Sequence, residues 1–231
     1  MYSQMFTEES LLLALDCLKT ELPFALWETL YVTILTTLLS VIVGLPLGVL
    51  LVTGEKGGVR PLPSSFMKIL NLFINFLRSI PFLILMIMAL PLSRAIIGTT
   101  VGTPATIIPL FVAAFPYVAR LAEGSLREID PNLIETAQSM GATPFQIITK
   151  VMIPESFPGL LNNAVIALTT ILSYSAMSGI LGGGGLGKIA INYGYYRYKY
   201  GVMLLAVLFI VLLVQLFQSI GTALVKKLDK R

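Results

Sequence analysis

The sequence predicts an all-α polytopic membrane protein with five transmembrane helices, and three observations carry that reading. Of 231 residues, 56% are hydrophobic and 12% are charged, about half the charged share of an ordinary soluble domain. The mean hydropathy is positive, and apolar runs of roughly the 20 residues needed to cross a bilayer recur along the chain. Lys and Arg are distributed unevenly over the segments between those runs, as a topology signal would be.

Residues 1–25 read as an extracytoplasmic segment, with a weak apolar patch at 11–15 broken by Asp16, Lys19 and Pro23 that suits an interfacial helix. The first 28 residues are acidic (Glu8, Glu9, Asp16, Glu21 and Glu28 against Lys19) and lack a basic leading region, so the first span is expected to remain as an anchor. That span, about 29–54, holds no charged residue.

EKGGVRPLP over 55–63 is a Gly/Pro turn. From 64 to 79 the pattern is amphipathic: Phe66, Ile69, Leu70, Phe73, Ile74 and Leu77 share one helical face, while Lys68, Asn71, Asn75 and Arg78 share the other. The second span, about 66–93, is expected to be broken or kinked at Pro81 and Pro91, with Arg94 at its outer end. The third, about 103–121, contains Pro104, Pro109 and Pro116, a pattern of kinked helices around a cavity. The fourth (157–181) and fifth (201–225) flank GGGGLGKIAINYGYYRYKY, and the basic tail 226–231 is expected in the cytoplasm.

Five spans with a cytoplasmic tail place the N-terminus outside. The inside segments then hold ten cations (Lys56, Arg60, Lys68, Arg120, Arg127, Lys150, Lys226, Lys227, Lys230, Arg231) and the outside segments five (Lys19, Arg94, Lys188, Arg197, Lys199), with Arg78 left aside. That asymmetry predicts N-out/C-in.

Composition also excludes function classes. One cysteine, Cys17, rules out an internal disulfide, and the absence of histidine argues against a metal site or a Ser-His hydrolase. The net charge of +4 is spread over loops and the tail rather than forming a basic face, which argues against nucleic acid. No catalytic, metal-binding or cofactor-binding residue is expected in this chain.

The most informative stretch is the polar interruption at 130–154, which reads as two short helices and a hinge. Asp130 can cap a helix that starts at Pro131, where the missing N–H is harmless. Gly141 supplies the left-handed turn that closes it. Thr143 with Gln146 forms a capping box, Pro144 takes the first helical position, and Pro154 is expected to stop the second helix. The first helix has about ten residues, or roughly 15 Å, too short to stand alone, so it must dock on something.

Glu135-Thr136-Ala137, three residues, Gly141, nine residues and Val151-Met152-Ile153-Pro154 together resemble the EAA motif of ABC-importer permeases, E-A-A, x3, G, x9, I-x-L-P. The departures are Thr136, Val151 and Ile153, all close in size to the family's residues. FLRSIPF, SMGATP, SYSAMSG and GGGLG occur in order and are similar to the methionine-importer branch, so that the likeness runs over about 26–221.

That resemblance implies a type I ABC-importer permease fold in the bacterial cytoplasmic membrane, with residues 122–156 as the cytoplasmic coupling region. Glu135, Thr136, Ala137, Gly141, Pro144 and Pro154 would be the ATPase-coupling residues. It further implies a homodimer of permeases, two ATPase subunits that bind ATP and Mg, and an extracytoplasmic substrate-binding lipoprotein. Methionine as substrate rests on the resemblance alone, and an importer of another small solute stays open.

A translocation path would draw on Arg78, Asn75, Tyr174, Ser175 and Met177. An intramembrane Arg costs about 2.5–3.5 kcal/mol on insertion scales, so such residues line water or hold a partner; snorkelling to the interface is the alternative. Ser175 and its neighbours on the fourth span equally suit helix packing. The glycines at 182–187 do not follow G-x-x-x-x-G-K-[ST] and follow a span rather than a strand, so they suit close packing or flexible backbone rather than a phosphate cradle. The tyrosines at 193–200 suit an interfacial belt.

With no Walker A motif in the chain, energy has to enter from a partner. An ion-coupled carrier would need ionisable groups at mid-membrane, which the spans lack apart from Arg78. A membrane enzyme would need clustered acid, base or metal ligands, and none is evident.

Overall fold

The computed structural model describes Leu12 and residues 16–228. The patch at 11–15, Leu12 apart, and the last three residues of the tail lie outside the described residues. The described chain is helical, with no strand among those residues.

Helix α1 (Leu22–Thr53) begins ahead of the charge-free run, with Pro23 in its first turn and Glu28 inside it. The charge-free run from residue 29 marked only the apolar part of this helix, which itself starts at Leu22. Glu28 continues it because its charge is held by hydrogen bonds from elsewhere in the fold. At 32 residues, α1 is about 48 Å long and exceeds a hydrocarbon core of ~30 Å.

The second span is two helices, α2 (Ser64–Ser79) and α3 (Phe82–Ile97), bent by 110°. The break falls at Ile80-Pro81, where both residues are extended, because a proline disfavours the helical region for the residue before it. Pro91 lies within α3, so it is not a second break. Of the apolar face of α2, Ile74 is buried together with Met67, while Phe66, Ile69 and Phe73 are exposed. Only the stripe beside the asparagines packs against the rest of the chain.

Helix α4 (Thr103–Arg127) packs against α1, α2, α3 and α7 (Ile153–Met177) and is the hub of the molecule. Its contact with α1 is close: a Cβ at Gly48 would sit 2.7 Å from the Ala119 carbonyl, so the approach requires a residue without a side chain. The helix continues past the expected limit at residue 121 because Arg120, Glu123 and Arg127 neutralise one another.

After α5 (Pro131–Ser139) come α6 (Pro144–Ile147), a π-helical turn (Ile148–Met152) and α7. Pro154 therefore does not stop a helix; one continuous helical rod runs from Pro144 to Leu181. The physical reason is the π turn, in which Ile153 N–H donates to the Ile148 carbonyl, five residues back. That wider winding opens the ladder just before a residue whose ring and missing N–H disrupt ordinary α-helical bonding.

A 3-10 turn (Ser178–Leu181), α8 (Leu186–Ile189), a second π segment (Ala190–Tyr196) and α9 (Tyr200–Leu228) complete the chain. Lys226 and Lys227 belong to the last turn of α9 rather than to a separate tail. By length and composition, α1, α4, the Pro144–Leu181 rod and α9 can each cross a bilayer, and the bent α2–α3 pair is a fifth candidate.

Candidate functional site

The elbow between α4 and the rod is built by its caps. Asp130 Oδ1 accepts from Asn132 N–H at 2.9 Å, which satisfies one free donor at the start of α5. At the other end Gly141 has φ +78, and Ala142 N–H donates to the Ala137 carbonyl at 3.1 Å. The Thr143 N–H donates to Gln146 Oε1 at 2.9 Å, and Gln146 N–H to Thr143 Oγ1 at 3.4 Å. Pro144 follows at the first helical position.

The elbow has distinct inner and outer faces. Ile134, Ala137, Ala142 and Ile148 pack against a buried cluster of Leu126, Ile129, Ile147 and Met152, which fixes it to the ends of α1 and α4. Glu135, Thr136, Gly141, Pro144 and Pro154 are exposed, and Glu135 makes no hydrogen bond or ion pair among the described residues. Ala137 thus serves attachment, while Glu135 and Thr136 point outward. Met140 and Phe145, 81% and 74% exposed, flank the Gly141 turn. They went unnoticed in the sequence, although two large apolar side chains beside helix caps in a polar stretch are themselves a signal of docking.

A charged cluster ties the base of the elbow to the spans. The buried Glu123 carboxylate accepts from Arg120 Nη1 at 2.6 Å and from Arg127 Nε and Nη2 at 3.0 and 2.8 Å. Arg127 also donates to both oxygens of Glu55. Arg120 Nη2 donates to Asn71 Oδ1 at 2.8 Å and Asn75 Oδ1 at 2.9 Å. Asn75 is thereby committed to joining α2 with α4.

Among the other residues proposed for a path, Arg78 and Tyr174 meet in one cleft of about 400 Å³, together with Phe82 and Tyr117. Tyr174 stacks on Phe82 with ring centres 4.0 Å apart and planes inclined by 14°. Ser175 is elsewhere: it is buried and its hydroxyl donates to the Leu172 carbonyl at 2.7 Å. Met177 is exposed and does not line that cleft. Tyr117 escaped sequence reading because one aromatic in a proline-rich span looks like packing.

The opposite end of the spans is fastened by Glu28. Its carboxylate accepts from the Thr103 hydroxyl and from Gly185 N–H, the latter at 2.8 Å, while Leu186 N–H donates to Thr29 Oγ1 at 2.9 Å. A Cβ at Gly184 would collide with Glu28 Oε2, so the glycine run serves close packing. Beside it, Tyr193 donates to Glu21 Oε1 at 2.7 Å, and this bond raises the Tyr193 pKa, with burial adding to the effect. Among the described residues no group of His, Cys, Asp or Glu is placed to hold a metal.

Comparison with known proteins follows the same lines. Residues 44–230 match the family described as binding-protein-dependent transport system inner membrane component. A probable D-methionine transport system permease protein of Vibrio cholerae serotype O1 is 48% identical over 208 residues, 90% of this chain and 92% of that one. A relative of the same description in Haemophilus influenzae is 46% identical over 208 residues, 90% and 97% of the respective chains. Among solved structures, an inward-facing methionine ABC transporter superposes with a TM-score of 0.86 at 42% identity, covering 88% of this chain and 94% of that one.

Proposed function

The chain belongs to the binding-protein-dependent transport system inner-membrane component family, and from that premise we propose that it is the permease subunit of an ATP-driven methionine importer. The observation that carries this reading is the elbow itself. A capped turn at Gly141 presents two bare apolar side chains, Met140 and Phe145, with an exposed Glu135 that has no partner among the described residues on the preceding helix, in a chain that has no nucleotide-binding motif of its own. Such a surface suits a protein partner that supplies the energy. The high similarity to D-methionine permeases supports methionine as the substrate.

In this reading the elbow faces the cytoplasm, with the N-terminus outside and the C-terminus inside. Two permease copies associate with two ATPase subunits, which bind ATP and Mg, and with an extracytoplasmic binding protein that delivers the amino acid. Glu135, Thr136, Gly141, Pro144, Met140 and Phe145 form the contact with the ATPase, Ala137 anchors it from within, and Pro154 sets the winding behind it. Because the elbow is continuous with the rod from Pro144 to Leu181, a displacement imposed on it passes directly into a transmembrane helix. The ATP-bound partner has to favour one permease conformation over the other, since a partner indifferent to both shifts nothing.

Reconstitution of the permease with its ATPase and binding protein in proteoliposomes tests the assignment. ATP-dependent methionine uptake is expected for the wild type, with loss of both uptake and stimulated ATP hydrolysis on Glu135→Lys. Uptake that persists without the ATPase subunit would refute it.

A further inference from the structure

The cleft at the α2–α3 break holds polar groups that the fold leaves unused. Arg120 and Arg127 are paired with Glu123, Glu55 and the two asparagines, Arg120 Nε alone of their nitrogens being buried without a partner among the described residues. Arg78 has no hydrogen bond or ion pair among the described residues, and neither the Tyr117 nor the Tyr174 hydroxyl has a partner there. The Arg78 guanidinium is exposed to the cleft, a cation in a membrane-spanning segment is costly without water or a counter-charge, and its planar fork matches a carboxylate. One wall of the cleft is the flat Phe82–Tyr174 stack. The last turn of α2 adds an acceptor: the residue four beyond Leu77 is Pro81, which has no N–H to take the Leu77 carbonyl.

These groups are complementary to a free α-amino acid with an unbranched apolar side chain. The volume, about 400 Å³, lies in the range of small-molecule sites. Resting on the importer reading, we propose that the permease carries its own substrate site in this cleft. Arg78 takes the α-carboxylate. The ammonium donates to the Leu77 carbonyl and the phenol oxygens of Tyr117 and Tyr174. The side chain lies along the Phe82–Tyr174 wall, where a thioether gains a sulfur–aromatic contact. The site has no carboxylate of its own for the ammonium, so selection is strongest at the carboxylate end.

The test uses the permease–ATPase complex in lipid nanodiscs without binding protein, titrated with L-methionine and with L-methioninol, which lacks the carboxylate. Methionine is expected to bind at least about tenfold more tightly than methioninol, as for loss of one charge-assisted pair. Arg78→Gln should abolish that discrimination, Arg78→Lys should retain part of it, and Arg94→Gln at the far end of α3 should bind as the wild type does. Equal affinity for the two ligands in the wild type, or discrimination that survives Arg78→Gln, overturns the site. So does a complex that performs ATP-driven uptake with its binding protein but binds no methionine without it, an outcome that leaves the importer reading intact. Failure of ATP-driven uptake itself refutes that reading instead.

Discussion

Substitution of Gly141 separates backbone strain from docking. Its φ of +78 lies in the left-handed region, while a Cβ built there meets nothing within 4 Å, so a side chain fits and only the backbone resists. Forcing an ordinary residue into that region costs about 1–2 kcal/mol, with Ala at the low end, β-branched Val at the high end and Asn below both. Asp carries a further penalty of roughly 0.3–1 kcal/mol because its charge sits at the negative end of the α5 dipole. An undocked elbow can relieve the strain by unwinding the end of α5, which moves Glu135, and docking must then restore it. At 1.4 kcal/mol per tenfold, the ATPase affinity falls by up to about fivefold for Gly141→Ala and about thirtyfold for Gly141→Val. Gly141→Asn stays near the wild type, and Gly141→Asp falls between Ala and Val. The assay is ATPase-subunit binding to the permease, with uptake and ATPase stimulation by loaded binding protein measured in parallel. Equal losses for Asn and Val would show that side-chain bulk rather than strain decides, and wild-type behaviour of Asp and Val would end the coupling assignment.

Three further outcomes follow from other contacts. Glu123→Gln removes the carboxylate that joins Arg120 to Arg127; Arg127 keeps Glu55, but Arg120 loses its ion pair in a largely buried position, which should destabilise the detergent-solubilised protein by about 3 kcal/mol, read as a fall in Tm. Glu28→Ala removes the acceptor shared by Thr103 and Gly185; the unfulfilled donors cost about 1–3 kcal/mol, and amide exchange should quicken first at residues 182–186. The Tyr193–Glu21 bond needs a protonated phenol, so the raised Tyr193 pKa makes its contribution complete below about pH 10 and lost as pH rises through the folded-state value. The Tm difference between the wild type and Tyr193→Phe should accordingly vanish in strong alkali, and a constant difference would contradict the assignment.

The spans were legible in the sequence because lipid admits only long apolar helices, and the elbow was legible because Asp130, Gly141, Thr143 and Gln146 each carry a local signal. Errors arose where distant residues change what a local signal means. Glu28 and Glu123 lie just outside the apolar runs, and their place inside the helices depends on Thr103, Gly185 and the two arginines as partners. Pro154 looks like a stop until the preceding turn widens. The 110° bend, the commitment of Asn75 to Arg120 and the meeting of Arg78, Tyr117 and Tyr174 in one cleft are all tertiary facts, and no periodicity encodes them. Ser175 was ambiguous for a related reason: a serine on a span bonds its own backbone as readily as a solute.

The widened turn at Ile148–Met152 also bears on which length changes this chain tolerates. Such a turn holds one residue more than regular winding needs, so a single deletion there can be absorbed by a return to α geometry, leaving the membrane-facing positions of Ile153–Met177 in phase. The same deletion inside Ile153–Met177 rotates everything on one side of it by about 100°, carrying lipid-facing side chains inward. Natural single-residue deletions in this part of the chain should therefore gather at 148–152 and avoid the helix that follows.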